Sequence, residues 1–222
     1  MQPARVGDTS FFFSRINPVT ERQALRRQLR LARHAFDTHE HAWRSTAITR
    51  RVANHHLFRA AQHIACYLSN DAEVDLTSLV DCAWTMGKTV YLPVLSTTHH
   101  NRLHFLPYAP GDTLVANGYG IPEPVSHSRR VTALARLDLV LTPLVGFDPW
   151  GNRLGMGGGF YDRTFAFLRR RQYWRKPHLL GVAFDVQRSP VELPHQHWDV
   201  PLEGIATESG VSRSELRQLA ID

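Results

Sequence analysis

His63-Ile-Ala-Cys-Tyr-Leu68 is a short apolar run closed by polar Ser69-Asn70-Asp71, and it reads as a strand buried on both faces. The residues that follow decide how the strand is used. Leu76, Leu79, Val80, Ala83 and Trp84 recur at helical spacing until Gly87 stops them, because glycine accepts the left-handed conformation that ends many helices. Thr89-Val-Tyr-Leu92 then reads as a second strand. Strand, helix and strand in succession make a parallel pair joined by a crossover helix. A parallel sheet has to be covered on both sides. The expected fold is therefore α/β: an open, mostly parallel sheet with helices on both faces, in a single domain.

The pattern extends in both directions. Upstream, Leu25, Leu29, Ala32 and Phe36 predict a helix starting at an N-cap Thr20, with Arg33 and His34 in its last turn. A second helix is expected over about 40–58. Downstream, strands are read at Leu103 to Leu106, at Leu137-Asp-Leu-Val-Leu-Thr142 and at Leu179 to Phe184, with a helix over 161–171. Residues 109–130 are rich in Gly and Pro and read as a long irregular connection. Residues 1–19 lack periodicity and end in the turn signal Asn17-Pro18, so they are expected to be a loosely ordered extension to a domain spanning 20–222. There is no internal repeat and no low-complexity tract.

Of the 222 residues, 43% are hydrophobic and 21% charged, the composition of a packed soluble chain rather than a disordered one. No stretch approaches the ~18 apolar residues of a membrane span. Phe11-Phe12-Phe13 is ended by Ser14 and Arg15, too short for a signal-peptide core; the expected location is cytoplasmic. Lys and Arg outnumber Asp and Glu by 26 to 20, a formal charge of +6. That balance attracts nucleic acid, phosphorylated metabolites or a polyglutamate tail without choosing among them. Cys66 and Cys82 are too few for a disulfide framework and read as reduced core residues. The 13 histidines include no His-Glu-x-x-His, and His195-x-His197 lacks partners, which argues against protein-ligated zinc. No Gly-x-Ser-x-Gly elbow is present, which argues against a serine hydrolase.

The chemistry concentrates in Phe147-Asp-Pro-Trp-Gly-Asn-Arg-Leu-Gly-Met-Gly-Gly-Gly-Phe-Tyr-Asp-Arg163. Five of the 14 glycines fall between 151 and 159, between a predicted strand and a predicted helix. Glycines there let backbone N–H groups approach an anion, and a helix N-terminus adds positive potential. The spacing fits neither a Walker A loop nor a dinucleotide fingerprint. A flexible linker has no use for Arg153, Tyr161, Asp162 and Arg163 around those glycines. A side chain at Gly158 is expected to block backbone approach to phosphate. Arg22, Arg26, Arg30 and Arg33 form a second constellation on one helix face. Four like charges on one stripe repel one another, so with the glycine loop they are candidates to grip a triphosphate from two sides. The bland alternative is a solvated face. Glu73 follows the strand ending at Leu68, at the strand's carboxyl end, where ligands bind in open α/β sheets.

From about Glu21 to about Thr207 the chain resembles the 5-formyltetrahydrofolate cyclo-ligase family, also called methenyltetrahydrofolate synthetase. The glycine segment looks like that family's signature, and further segments agree in order: Leu25-Arg26, Tyr67-Leu-Ser69 with Glu73, Gly87-Lys88 before Tyr91-Leu-Pro-Val94, Ile121-Pro-Glu-Pro124, and Trp198-Asp-Val-Pro201. The resemblance implies an ATP- and magnesium-dependent ring closure on a reduced folate, 5-formyltetrahydrofolate to 5,10-methenyltetrahydrofolate. ATP phosphorylates the formyl oxygen, a neighbouring nitrogen attacks, and phosphate leaves. It also implies ATP-binding positions at Arg22 and Arg26 and along Arg153, Leu154, Gly155, Met156, Gly157, Gly158, Gly159, Phe160 and Tyr161. Folate-contacting positions fall at Leu68 and Glu73 and at Met156 to Phe160, Mg2+ positions at Asp162 and Asp199, and the catalytic role at Arg153 and Tyr161. Arg22 stands where the family usually has Lys, which keeps the charge but changes phosphate geometry. Met156 occupies a position that varies among aromatic, basic and Met residues in the family. The implied partners are small molecules, with no nucleic acid and no membrane, acting on a monomer. A non-catalytic nucleotide or folate binder using the same cleft is the alternative. A nucleic-acid binder rests on net charge alone, with no recognised motif behind it.

Overall fold

The computed structural model describes residues 18–125, 132–170 and 176–215. Three helices come first: α1 (Pro18–His34), α2 (Thr38–Asn54) and α3 (His56–Ala60). Then follow β1 (His63–Ala65), α4 (Thr77–Thr85), β2 (Thr89–Leu95) and β3 (Leu103–Tyr108). A hairpin of β4 (Leu114–Ala116) and β5 (Pro122–Pro124) precedes β6 (Leu139–Pro143). A second, shorter hairpin, β7 (Gly146–Phe147) and β8 (Arg153–Leu154), leads to α5 (Phe160–Phe165), which tightens into a 3-10 turn over Ala166–Arg170. The chain closes with β9 (His178–Val182), β10 (Gly204–Ala206) and β11 (Val211–Arg213).

Seven strands form one sheet in the order β11-β10-β9-β6-β1-β2-β3. The five inner strands run parallel, and an antiparallel strand closes each edge. Alternation sorts the side chains. Ile64, Cys66, Val90, Leu92, Leu139 and Leu141 point to one face, where Ile48 and Val52 of α2, Phe58 of α3 and Leu79, Val80 and Ala83 of α4 cover them. Ala65, Tyr91, Val140, Leu179 and Ile205 point to the other, under Phe165 of α5 and the loop residues Leu144, Val200 and Leu202. The α/β architecture read from the βαβ unit is the one observed. Across the carboxyl ends of the strands lies α1, where Leu29 packs with Val145, Leu154 and Leu193. Among the described residues, no helix is long and apolar enough to cross a membrane.

Several boundaries differ from the sequence reading. Helix α1 starts at Pro18, a residue whose fixed φ and missing N–H suit a first turn. Thr20 therefore lies inside the helix, and residues 18 and 19 belong to it rather than to the extension; residues 1–17 lie outside the described residues. The single helix expected over 40–58 is two. Asp37 caps α2 by accepting the Glu40 N–H at 2.7 Å, and the extended backbone of His55 (ψ 142°) separates it from α3. The connection at 109–130 holds the β4–β5 hairpin, whose turn is built by Asn117 Oδ1 accepting the Tyr119 and Ile121 N–H groups; its residues 126–130 lie outside the described residues. Three-residue strands such as β4 and β10 are too short to show a period of two. Residue 171, the expected end of the last helix, also lies outside.

Candidate active site

Asp148, fully buried, organises the approach to the glycine segment. Its carboxylate accepts the Trp150 and Asn152 N–H groups at 3.0 Å each, the Asn152 side-chain amide at 2.8 Å and the Leu193 N–H at 2.9 Å. The β7–β8 turn is thereby fixed, and β8 delivers Arg153. Beyond it, Gly157 (φ 107°) and Gly159 (φ 65°) hold backbone that side chains rarely adopt. Arg26 of α1 donates from Nε to the Gly155 carbonyl at 2.9 Å. Arg163 of α5 donates to the Gly158 carbonyl. The loop is held from both flanks.

Between this loop, α1 and the segment 196–199 lies a cleft of about 490 Å³. It brings together Arg22, Arg26, Arg153, Gly155, Gly157, Gly159, Asp162 and Asp199, drawn from opposite ends of the chain. Arg102, Arg169, Gln196 and Trp198 line it too, and no spacing rule links them to the others. Arg153, with its side chain only 6% exposed, donates to the Val200 carbonyl and to Asp162 Oδ1. Asp162 Oδ1 also accepts the Val200 N–H at 3.0 Å. Asp199 Oδ2 accepts the Gln196 N–H at 2.9 Å and faces Arg22 at 3.5 Å. The second oxygen of each carboxylate makes no hydrogen bond among the described residues, and Arg22 Nε is buried with no partner among them. Burial and the adjacent Arg22 guanidinium press the Arg26 pKa below its ordinary value, with Asp199 opposing them. The cleft has more cationic charge than its own carboxylates neutralise, and two carboxylate oxygens left for a hard cation.

Glu73 and Tyr161 meet elsewhere. Tyr161 does not line the cleft; its ring stacks on Phe165 at 6.2 Å, and burial and the Glu73 carboxylate push its phenol well above the ordinary range. Burial raises the Glu73 carboxyl to about 7 despite the opposing Arg33 charge and the Asn70 N–H bond at 3.2 Å. Leu68 is half-buried against the main core. Phe160 sets its ring edge-on to the exposed Tyr119 at 5.9 Å. Met156 is 55% exposed and lines a neighbouring open groove with Arg27, Arg30 and His34.

The geometry narrows one expectation and overturns another. Leu154 is fully buried beneath α1, so its side chain supports the loop from below and only its backbone is left to face a nucleotide. The arginine stripe is divided. Asp71 accepts both Arg30 Nε at 2.9 Å and Arg33 at 2.6 Å, with His34 at 2.8 Å, and its pKa falls well below the ordinary carboxylate range. Arg30 and Arg33 thus tie the β1–α4 loop to α1, and only Arg22 and Arg26 reach the cleft.

A carboxyl raised from 4.5 to about 7 opposes folding as pH climbs: the folded state loses stability between those values, because the unfolded chain ionises more readily. Glu73→Gln is expected to raise Tm at pH 8 by a few degrees, roughly 1–3 kcal/mol, and to leave Tm at pH 4 nearly unchanged. Thermal melts across that range check it; an equal shift at both pH values contradicts it.

The model of the 5-formyltetrahydrofolate cyclo-ligase family matches residues 18–208. The chain is 39% identical over 183 residues to the 5-formyltetrahydrofolate cyclo-ligase of Haemophilus influenzae, covering 82% of this chain and 95% of that one. It is 46% identical over 151 residues to the enzyme of that name from Escherichia coli K12, covering 68% and 80%. Its fold matches the solved structure of the Aquifex aeolicus 5,10-methenyltetrahydrofolate synthetase with a TM-score of 0.72 at 28% identity, covering 89% of this chain and 94% of that one. With the family match spanning most of its length, the chain belongs to the 5-formyltetrahydrofolate cyclo-ligase family.

Proposed function

We propose that the protein converts 5-formyltetrahydrofolate to 5,10-methenyltetrahydrofolate with consumption of ATP, releasing ADP and phosphate, in a Mg2+-dependent reaction. The observation that carries this reading is the cleft itself: a left-handed glycine loop and guanidinium groups from separate elements converge where the strands end, with Asp162 and Asp199 between them. Phosphoryl transfer needs positioning and charge neutralisation more than covalent help. Arg22 and Arg26 take the phosphates from the α1 side, and the backbone from Gly155 to Gly159 takes them from the loop side. Arg153, locked by its two bonds, holds a fixed positive charge where the transferring group gains negative charge. Mg2+ would be held by Asp162 and Asp199 through their uncommitted oxygens and would supply further neutralisation at the phosphates. The folate lies toward Leu68, Glu73 and Met156 to Phe160. Tyr161 keeps its proton and offers a hydrogen bond to the reacting end. An amide-like oxygen is a poor leaving group, and phosphorylation makes it a good one.

The test is a spectrophotometric assay with 5-formyltetrahydrofolate, ATP and Mg2+, following methenyltetrahydrofolate absorbance. ATP-dependent product is expected. A well-folded protein that binds both ligands without forming product is instead a binder.

Arg26→Ala is expected to raise the KM for ATP about tenfold or more, the worth of a charge-assisted hydrogen bond, while moving the folate KM little. A rise in the folate KM alone would assign this face of α1 to the folate.

A further inference from the structure

The turn between β2 and β3 brings one side chain, Arg102, into the cleft wall. The turn is well held. Ser96 donates its N–H to the Arg102 carbonyl at 2.9 Å, and Asn101 takes the left-handed conformation (φ 53°). Leu103 donates its N–H to Thr164 Oγ1 at 2.9 Å, and that hydroxyl donates to the Phe160 carbonyl at 2.7 Å. The start of β3 is thereby latched to α5, directly after the glycine loop.

The other cleft arginines all have protein partners. Arg22 faces Asp199, Arg26 bonds the Gly155 carbonyl, Arg153 bonds Asp162, Arg163 bonds the Gly158 carbonyl, and Arg169 bonds the His197 carbonyl at 2.6 Å. The Arg102 guanidinium bonds no other group among the described residues. Arg102 is exposed at the wall of this arginine-rich cleft and hydrated there, so an arriving anion displaces no internal bond to reach it. A guanidinium presents a fork that matches phosphate oxygens in pairs.

We propose that Arg102 binds phosphate oxygens of the nucleotide, a contact supplied by a third element beside α1 and the glycine loop. The proposal rests on the reading of this cleft as the nucleotide site. Its test uses the full chain carrying Arg102→Ala or Arg102→Lys, with MgATP affinity measured calorimetrically without folate and the KM values for both substrates measured in turnover. Arg102→Ala is expected to weaken MgATP about tenfold or more, with the folate KM unchanged. Arg102→Lys is expected to restore part of the loss, since it keeps the charge but not the fork. Tm is expected to stay at the wild-type value, because no internal bond is lost. Unchanged ATP affinity in Arg102→Ala alongside a weakened Arg26→Ala would overturn the role of Arg102 and leave the nucleotide site standing. A rise confined to the folate KM would overturn it in favour of a carboxylate of the folate. ATP affinity unchanged in both variants would overturn the nucleotide reading of the cleft together with the proposal.

Discussion

Gly157→Val is expected to lower kcat/KM by roughly a hundredfold or more, the scale on which a displacement of about 1 Å in a reacting assembly is felt. Gly157 sits at φ 107°, outside even the left-handed well that Asn and Asp tolerate, and forcing a side chain there costs about 1–3 kcal/mol. The loop relieves that cost by moving, because a Cβ on Gly157 meets nothing closer than the Arg26 guanidinium carbon at 3.7 Å. The damage is therefore a shifted backbone and a disturbed Arg26, not a clash that unfolds the core. Gly158, which sequence position alone singles out for phosphate contact, is the weaker test. Its φ is not positive, and a Cβ there meets only the ring of Phe160, at 2.6 Å, a side-chain contact rather than a backbone one. The check is to measure MgATP affinity, turnover and Tm for Gly157→Val and Gly158→Ala side by side. Wild-type ATP affinity in Gly157→Val would show that this glycine serves something other than phosphate approach.

Asp162→Asn is expected to reduce kcat about a hundredfold, on the scale of removing one preorganised electrostatic contact, and to move the Mg2+ dependence to higher concentration. Asp162 has two duties in this geometry. Oδ1 fixes Arg153 and the Val200 N–H, and the other oxygen is available to a metal. The amide keeps an acceptor for Val200 but removes the charge facing Arg153, whose side chain is nearly buried. A nearly buried cation without its anion is costly, so Arg153 is expected to lose its fixed position as the proposed Mg2+ site loses a carboxylate oxygen. An ordinary helix-start Asp behaves differently: its loss costs about 0.3–1 kcal/mol of stability and leaves rate untouched. Measuring kcat against Mg2+ at saturating ATP and folate separates these cases. A reduced kcat with superimposable Mg2+ curves would make Asp162 the anchor of Arg153 and leave the metal to Asp199.

The α/β fold was legible because its signals are local. Ile64, Val90 and Leu139 lie in apolar runs bounded by polar residues, and the α4 stripe between two of those runs forces a crossover. Glycine density at 151–159, with Arg153 within it and Asp162 just after, likewise marked a candidate anion loop without any tertiary information. Burial depth was not legible. Leu154 lies inside that loop yet is fully buried, since nothing local shows which loop residue α1 will cover. The division of the arginine stripe also came from tertiary structure. Arg22, Arg26, Arg30 and Arg33 share a face by helical period alone, but Asp71, 41 positions from Arg30, claims the last two. That pairing exists because the loop after β1 folds back against α1. Arg102 reaches the cleft for the same kind of reason, carried there by a sheet edge latched to α5 through Thr164. Periodicity and composition report what a segment buries and where it turns. Which charges meet across the carboxyl end of the sheet is set by chain segments far apart in sequence, and only the packed structure brings them within range.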